Sequence, residues 1–220
     1  MTIKVAFFDC DGTLTKARNS WEYLHRKLNI WDKQAERYQT LFREGKISYY
    51  EFCKNDALLW KGLPVSSVAS LLKGITYHSG AYEVVKALKK RGILTVILST
   101  GLSLLVERVR EDLGIDMSFS NELLSESGHL TGEIKINVGF NKKGYLVKKI
   151  LGDIGVSRKE ACAVGDGDGD TSMFEEVVLA IGFHPQDHVS SVIHRAICGR
   201  SLLEMVEIID EYERHTSSVV

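Results

Sequence analysis

Apolar positions along the chain fall into two alternating regimes. Short continuous runs occur at Ile3 to Phe8, Ile93 to Leu98, Ala161 to Val164, Val177 to Ile181 and Val192 to Ile197. Unbroken hydrophobicity over so few residues suits strands covered on both faces, as inside a parallel sheet. Between these runs, apolar residues recur at helical spacing over Ala81 to Lys90, Leu104 to Leu113, Leu146 to Ile154 and Leu202 to Tyr212. Gly92, Gly114 and Gly155 stand where three of these helices should stop. Strand and helix therefore alternate, which predicts an α/β fold: a parallel sheet with helices on both faces.

Two intervals depart from that rhythm. The stretch between Phe8 and Ile93 is far longer than the ~30 residues of one crossover unit. From Trp21 to Leu72 its apolar residues keep helical spacing, broken by Gly45 and by Gly62-Leu63-Pro64. A small all-helical lobe is expected there, giving a core of residues 1–15 and 76–220 and an inserted cap of residues 16–75. The second interval, Phe119 to Val138, carries Ser125-Glu126-Ser127-Gly128 between two partly alternating runs, which predicts a β-hairpin flap.

Composition narrows the class without choosing a function. The chain has 220 residues, 44% hydrophobic and 26% charged, with two prolines, an ordinary balance for a folded globular protein. Its 28 basic and 29 acidic side chains nearly cancel, so neither nucleic acid nor an anionic membrane surface is implied as partner. No apolar run is long enough for a membrane span, and the amino terminus lacks a signal pattern, so a cytoplasmic protein is expected. Cys10, Cys53, Cys162 and Cys198 show no paired spacing and read as buried free thiols. Oligomeric state is not encoded in any of these features.

Chemistry concentrates where strands should end. The first strand runs into Asp9-Cys10-Asp11-Gly12-Thr13, and in open parallel sheets ligands bind beyond the strands' carboxyl ends. At extended geometry Asp9 and Asp11 point the same way, while Gly12 permits a sharp exit turn. An aspartate-rich turn is the plainer reading of this segment alone. A second acidic segment, Gly165-Asp166-Gly167-Asp168-Gly169-Asp170, follows the run at Ala161. Carboxylates gathered from both segments repel one another unless a cation intervenes, and a hard, oxygen-preferring ion such as Mg²⁺ fits. An EF-hand loop starting at Asp166 would need glycine at Thr171 and glutamate at Val177, and a dinucleotide fingerprint starting at Gly165 would need glycine at Asp170. Ser99-Thr100-Gly101, between a strand and a helix, offers a hydroxyl and backbone N–H groups to an anion. Asn141-Lys142-Lys143-Gly144 offers a point charge before the next helix.

These four segments, in this order, resemble the haloacid dehalogenase superfamily of phosphotransferases, and within it the phosphoserine-phosphatase-like branch. The resemblance covers nearly the whole chain, including the inserted helical cap, the flap and the ending Asp170-Thr171-Ser172-Met173-Phe174. It implies a Rossmann-like core and a Mg²⁺-dependent phosphomonoester hydrolase acting on a small phosphorylated metabolite. Residue by residue, it implies Asp9 as nucleophile and Asp11 as general acid/base. Ser99, Thr100, Gly101 and Lys143 would bind phosphate. Asp9, the Asp11 backbone carbonyl, Asp166 and Asp170 would hold the metal. Lys143 is preferred over Lys142 because it directly precedes the glycine. Phosphotransfer to an acceptor other than water, as in mutases, and a catalytically silent binding protein on the same fold are the alternative readings.

The cap residues read differently from the branch. Its phosphoserine-binding glutamate and arginine align, without gaps, with Arg18 and Asp56, so the charges are inverted and phosphoserine is disfavoured as substrate. A shifted helix would put Glu22 or Lys54 in those roles. Gly169 stands where the branch has an asparagine. Trp21, Trp31, Trp60, Tyr49 and Tyr50 suit either a cap pocket or, more simply, core packing. His184 and His188 are four apart but separated by Pro185, so surface or capping roles are expected rather than zinc.

Overall fold

All four residues of β1 (Val5–Phe8) are buried. Alternate side chains leave the strand on opposite faces: Val5 and Phe7 join one apolar cluster, Ala6 and Phe8 the other. A strand with no exposed face belongs in the middle of a layered sheet, and β1 lies there. The structure, a computed structural model, describes residues 2–30 and 33–217. The remaining strands are β2 (Leu94–Leu102), β3 (Met117–Glu126), β4 (His129–Lys135), β5 (Ala161–Gly165), β6 (Leu179–Phe183) and β7 (Arg195–Ile197). They form one sheet in the order β4-β3-β2-β1-β5-β6-β7, parallel throughout except for β4. Val5 pairs with Leu94 of β2 and Ala161 of β5, so three strand ends lie side by side.

After β1 come α1 (Ser20–Lys27), α2 (Lys33–Arg43), α3 (Tyr49–Leu59) and α4 (Val65–Leu72). They are followed by α5 (Ala81–Lys90), α6 (Ser103–Leu113), α7 (Lys143–Ile154), α8 (Thr171–Phe174) and α9 (Glu204–Ser217). Val84 and Leu88 of α5, Val106 and Val109 of α6, and Met205 and Ile209 of α9 pack with Ala6 and Phe8. Val147 and Ile150 of α7 and Phe174 of α8 cover Val5 and Phe7 on the other face. The α/β fold with helices on both faces is thus present, and among the described residues no helix is long and apolar enough to cross a membrane.

Several boundaries differ from expectation. β2 continues past Leu98 to Leu102, because its pairing with β3 resumes after a register shift and keeps Ser99 to Gly101 in extended conformation. α7 starts at Lys143, not Leu146, which places that lysine in the first helical turn. β6 lies two residues beyond the expected Val177 to Ile181. Val177 is buried against the cluster under α7 and α8, and a continuous apolar run does not mark its own strand ends. β7 keeps only the last three residues of the run from Val192. The hairpin forms from β3 and β4, but β3 also pairs with β2, so the flap grows out of the sheet edge. The helical insertion leans on that flap. Gly62 N–H donates to the Leu130 carbonyl (2.7 Å), Leu130 N–H to Leu63 (2.9 Å) and Val65 N–H to Gly128 (2.9 Å). Cys198 is exposed, unlike the other three cysteines, because it follows the short edge strand β7.

Candidate active site

Asp9 leaves β1 with its N–H on the Val164 carbonyl (2.9 Å), still in the ladder to β5. The chain then turns at Gly12, whose φ of +84° admits glycine readily; a Cβ there would also come within 2.5 Å of Asp166 Oδ2. That close approach brings the loop after β1 against the loop after β5. Lys143 reaches the same point from the other face. Its side chain is 1% exposed, and Nζ donates to Asp9 Oδ1 (2.5 Å) and to Asp170 Oδ1 (2.6 Å). Asp170 Oδ2 accepts from the Asp166 N–H (3.0 Å) and the Gly167 N–H (3.2 Å), closing its loop on itself.

Carboxylate oxygens of Asp9, Asp166 and Asp170 lie within 4.8 Å of one another, all buried. Burial pushes the Asp9 carboxyl well above the usual range, and the Asp170 and Asp166 charges add to this against the opposing Lys143. Burial, then the Asp170 charge, raises Asp166 to about 7. Burial works against the Lys143 ammonium, but Asp170 and Asp9 outweigh it and its pKa is raised. Three converging carboxylates with one cation leave excess negative charge in a dry site, and an all-oxygen donor set of this kind suits a small, hard divalent ion.

Asp11 accepts the Ser20 N–H on Oδ2 (2.8 Å), at the start of α1, while its buried Oδ1 has no hydrogen-bond partner among the described residues. Burial raises its pKa, partly offset by Ser20. Ser99, 1% exposed, accepts the Gly101 N–H on Oγ (3.0 Å). A Cβ on Gly101 would meet Asp11 Oδ2 at 2.9 Å and Ser99 Oγ at 3.0 Å, so these groups share one wall. Thr100 turns its carbonyl to three donors: Trp21 Nε1 (3.2 Å), the Tyr49 hydroxyl (3.2 Å) and Asn121 Nδ2 (3.0 Å). One backbone oxygen therefore holds α1, α3 and β3 together.

Above these groups lies a cavity of about 380 Å³, lined on the sheet side by Asp9, Asp11, Thr100, Gly101, Lys143, Asp166 and Asp170. Arg18, Asn19, Gln39, Phe42, Arg43 and Tyr49 line it from the helical insertion. The structure thus brings the two acidic segments, the Ser99 segment and Lys143 to one place, with Lys142 exposed outside it. Arg18 and Tyr49 face the same cavity, but Asp56 does not. It is 3% exposed, with Oδ1 3.3 Å from His25 Nε2, and His25 packs on the Trp60 ring. Glu22 pairs with Arg26 and Lys54 with Glu133, and neither lines the cavity in the role of the branch's glutamate or arginine. Trp60 is buried and packs on Trp21, Tyr50 is half exposed, and Trp31 lies outside the described residues. His188 pairs with Asp168, and His184 packs on Phe183 and His78. Sequence reasoning missed Gln39, Arg43 and Asn121. Spacing carries no signal for any of the three, since Asn121 stands between Ser120 and Glu122 in a largely polar strand.

The family model described as haloacid dehalogenase-like hydrolase matches residues 6–175, and the chain belongs to that family. A phosphoserine phosphatase of Methanocaldococcus jannaschii is 31% identical over 207 residues, covering 94% of this chain and 97% of that protein. Another, from Archaeoglobus fulgidus, is 31% identical over 94% of this chain and 60% of its own length. A solved structure titled as a phospho-aspartyl intermediate analogue of phosphoserine phosphatase superposes with a TM-score of 0.82 at 30% identity, covering 94% of this chain and 99% of that one. Family and relatives together make the chain an enzyme, a phosphoric monoester hydrolase.

Proposed function

We propose that the chain hydrolyses a small phosphomonoester through an aspartyl-phosphate on Asp9, with Mg²⁺ held by Asp9, Asp166, Asp170 and the Asp11 backbone carbonyl. The observation that carries this reading is the meeting of Asp9, Asp166, Asp170 and Lys143 at the carboxyl ends of β1 and β5 under a small cavity. A bound divalent ion supplies positive charge to the phosphoryl oxygens and lets the three carboxylates coexist. A carboxylate oxygen of Asp9 attacks phosphorus in line as the ester P–O bond breaks, and Asp11 gives its proton to the departing alkoxide. Burial, by raising its pKa, favours the protonated acid needed at that moment. Asp11 then takes a proton from water, whose oxygen attacks phosphorus, releasing inorganic phosphate and free Asp9. In this reading Lys143 and the Ser99 hydroxyl neutralise charge on the equatorial oxygens, where catalysis of phosphoryl transfer mostly resides.

Residues 16–75 serve as a cap over a core of residues 1–15 and 76–220; the tie from Trp21 and Tyr49 to Thr100 supports this division. Release of phosphate from p-nitrophenyl phosphate with Mg²⁺ tests the reading. Activity is expected to vanish with EDTA and to fall more than about a thousandfold in Asp9→Asn. Metal-independent turnover, or an unimpaired Asp9→Asn, rules the scheme out.

A further inference from the structure

The cap wall of the cavity is cationic. Arg18, at the entry to α1, and Arg43, at the end of α2, are both exposed, and both line the cavity. Among the described residues neither makes an ion pair, and Arg18 is close enough to act electrostatically on Asp166. The acids that line the cavity are Asp9, Asp11, Asp166, Asp168 and Asp170, all from the loops after β1 and β5. None comes from the cap, where Glu22 lies beside Arg26 and Asp56 beside His25. A leaving group above the phosphoryl site therefore meets two guanidinium groups from the cap and no cap carboxylate, and Asp168, the one acid of the lining outside the catalytic set, pairs with His188. Beside the arginines the wall holds the polar Asn19 and Gln39 and an aromatic group, in which Phe42 and Phe52 stack at 5.2 Å with Phe140 edge-on to Phe42 at 5.3 Å.

Guanidinium groups bind carboxylates and phosphates through two parallel hydrogen bonds. An ammonium group here would sit beside like charge, a mismatch that selects against its bearer. Resting on the phosphomonoesterase reading above, we propose that the preferred substrate carries a second anionic group on its leaving group and no ammonium. A carboxylate and a second phosphate share the recognising chemistry.

Five esters of similar size separate the possibilities: 3-phosphonooxypropanoate, 1,3-propanediol bisphosphate, 3-aminopropyl phosphate, propyl phosphate and O-phosphoserine. The carboxylate or the bisphosphate is expected to exceed propyl phosphate in kcat/KM by about tenfold or more, the size of a charge-assisted hydrogen bond. The larger of those two gains identifies which anion the cap takes. The amine is expected to fall below propyl phosphate. Arg18→Ala and Arg43→Ala each shrink the ratio of anionic ester to propyl phosphate, and Arg18→Lys retains more of it than Arg18→Ala. Both arginines are exposed, so unchanged thermal midpoints are expected for these variants. Preference for phosphoserine or the amine, equal hydrolysis of all five, or a ratio indifferent to both arginines overturns this inference while leaving the phosphatase reading intact. No phosphate release from any ester, p-nitrophenyl phosphate included, overturns both.

Discussion

Lys143 holds its ammonium between Asp9 and Asp170 at hydrogen-bond distance, with almost no solvent contact. Lys143→Met removes the cation hydrogen-bonded to two of the three carboxylates. Phosphate release should fall by about 10² to 10³ in kcat, as for loss of one preorganised charge donor. The fold should lose about 3 kcal/mol in urea titration without added metal, since breaking a buried pair strands its partner. Asp11→Asn is expected to act through the leaving group. Alkyl esters should slow by about 10² to 10⁴, the range for general acid catalysis. p-Nitrophenyl phosphate should slow less in its first step, because nitrophenolate departs without a proton. Equal losses for both esters would remove Asp11 from the acid's role. The acidic residues were legible in the sequence because strand ends and alternation fix which side chains share a face. Arg43 was not, because its place depends on where α2 comes to rest, and Asp56 was misplaced because an ungapped alignment does not show which face of α3 is buried.

At the scale of elements, α3 starts at a reciprocal cap. Ser48 Oγ accepts the Glu51 N–H (3.2 Å), and Glu51 Oε2 accepts the Ser48 N–H (2.7 Å). Tyr49, next along, carries the hydroxyl that binds Thr100. Ser48→Ala should cost about 1 kcal/mol of stability. A rise in KM larger than any change in kcat would mark the cap's tie to the Ser99 segment. Asp116 joins α5 to the start of β3. Although partial burial opposes it, hydrogen bonds from Lys89 Nζ (2.6 Å), Thr95 Oγ1 (2.7 Å) and Thr95 N–H (2.9 Å) hold its carboxyl below the usual aspartate range. A depressed folded-state pKa stabilises the protein above the unfolded value of about 3.9, and the gain is lost as pH falls through the folded value. Unfolding free energy measured between pH 6 and 3 should therefore fall less steeply in Asp116→Asn than in the wild type. Helix interiors were legible from apolar spacing, while ends were not: α7 begins before its first apolar residue because a cap depends on backbone partners, and β2 runs on because β3 pairs with it.

For the whole molecule, a cation that binds only the folded arrangement of Asp9, Asp166 and Asp170 must stabilise it. At a hundredfold excess over Kd the gain is about 2.7 kcal/mol. Mg²⁺ should raise the thermal midpoint of the wild type and do so markedly less for Asp166→Asn. An equal rise for both would place the ion elsewhere. From the chain alone came the alternation that makes a parallel sheet, the four chemical segments, and the insertion between the first strand and the rest, all read from nearest-neighbour pattern. Only the folded arrangement decided that Asp56 pairs with His25, that Arg18 and Arg43 share a wall, and that one Thr100 carbonyl gathers three donors. Periodicity states that a helix has a face to bury; what it is buried against follows from contacts between residues far apart in the chain, which no local pattern contains.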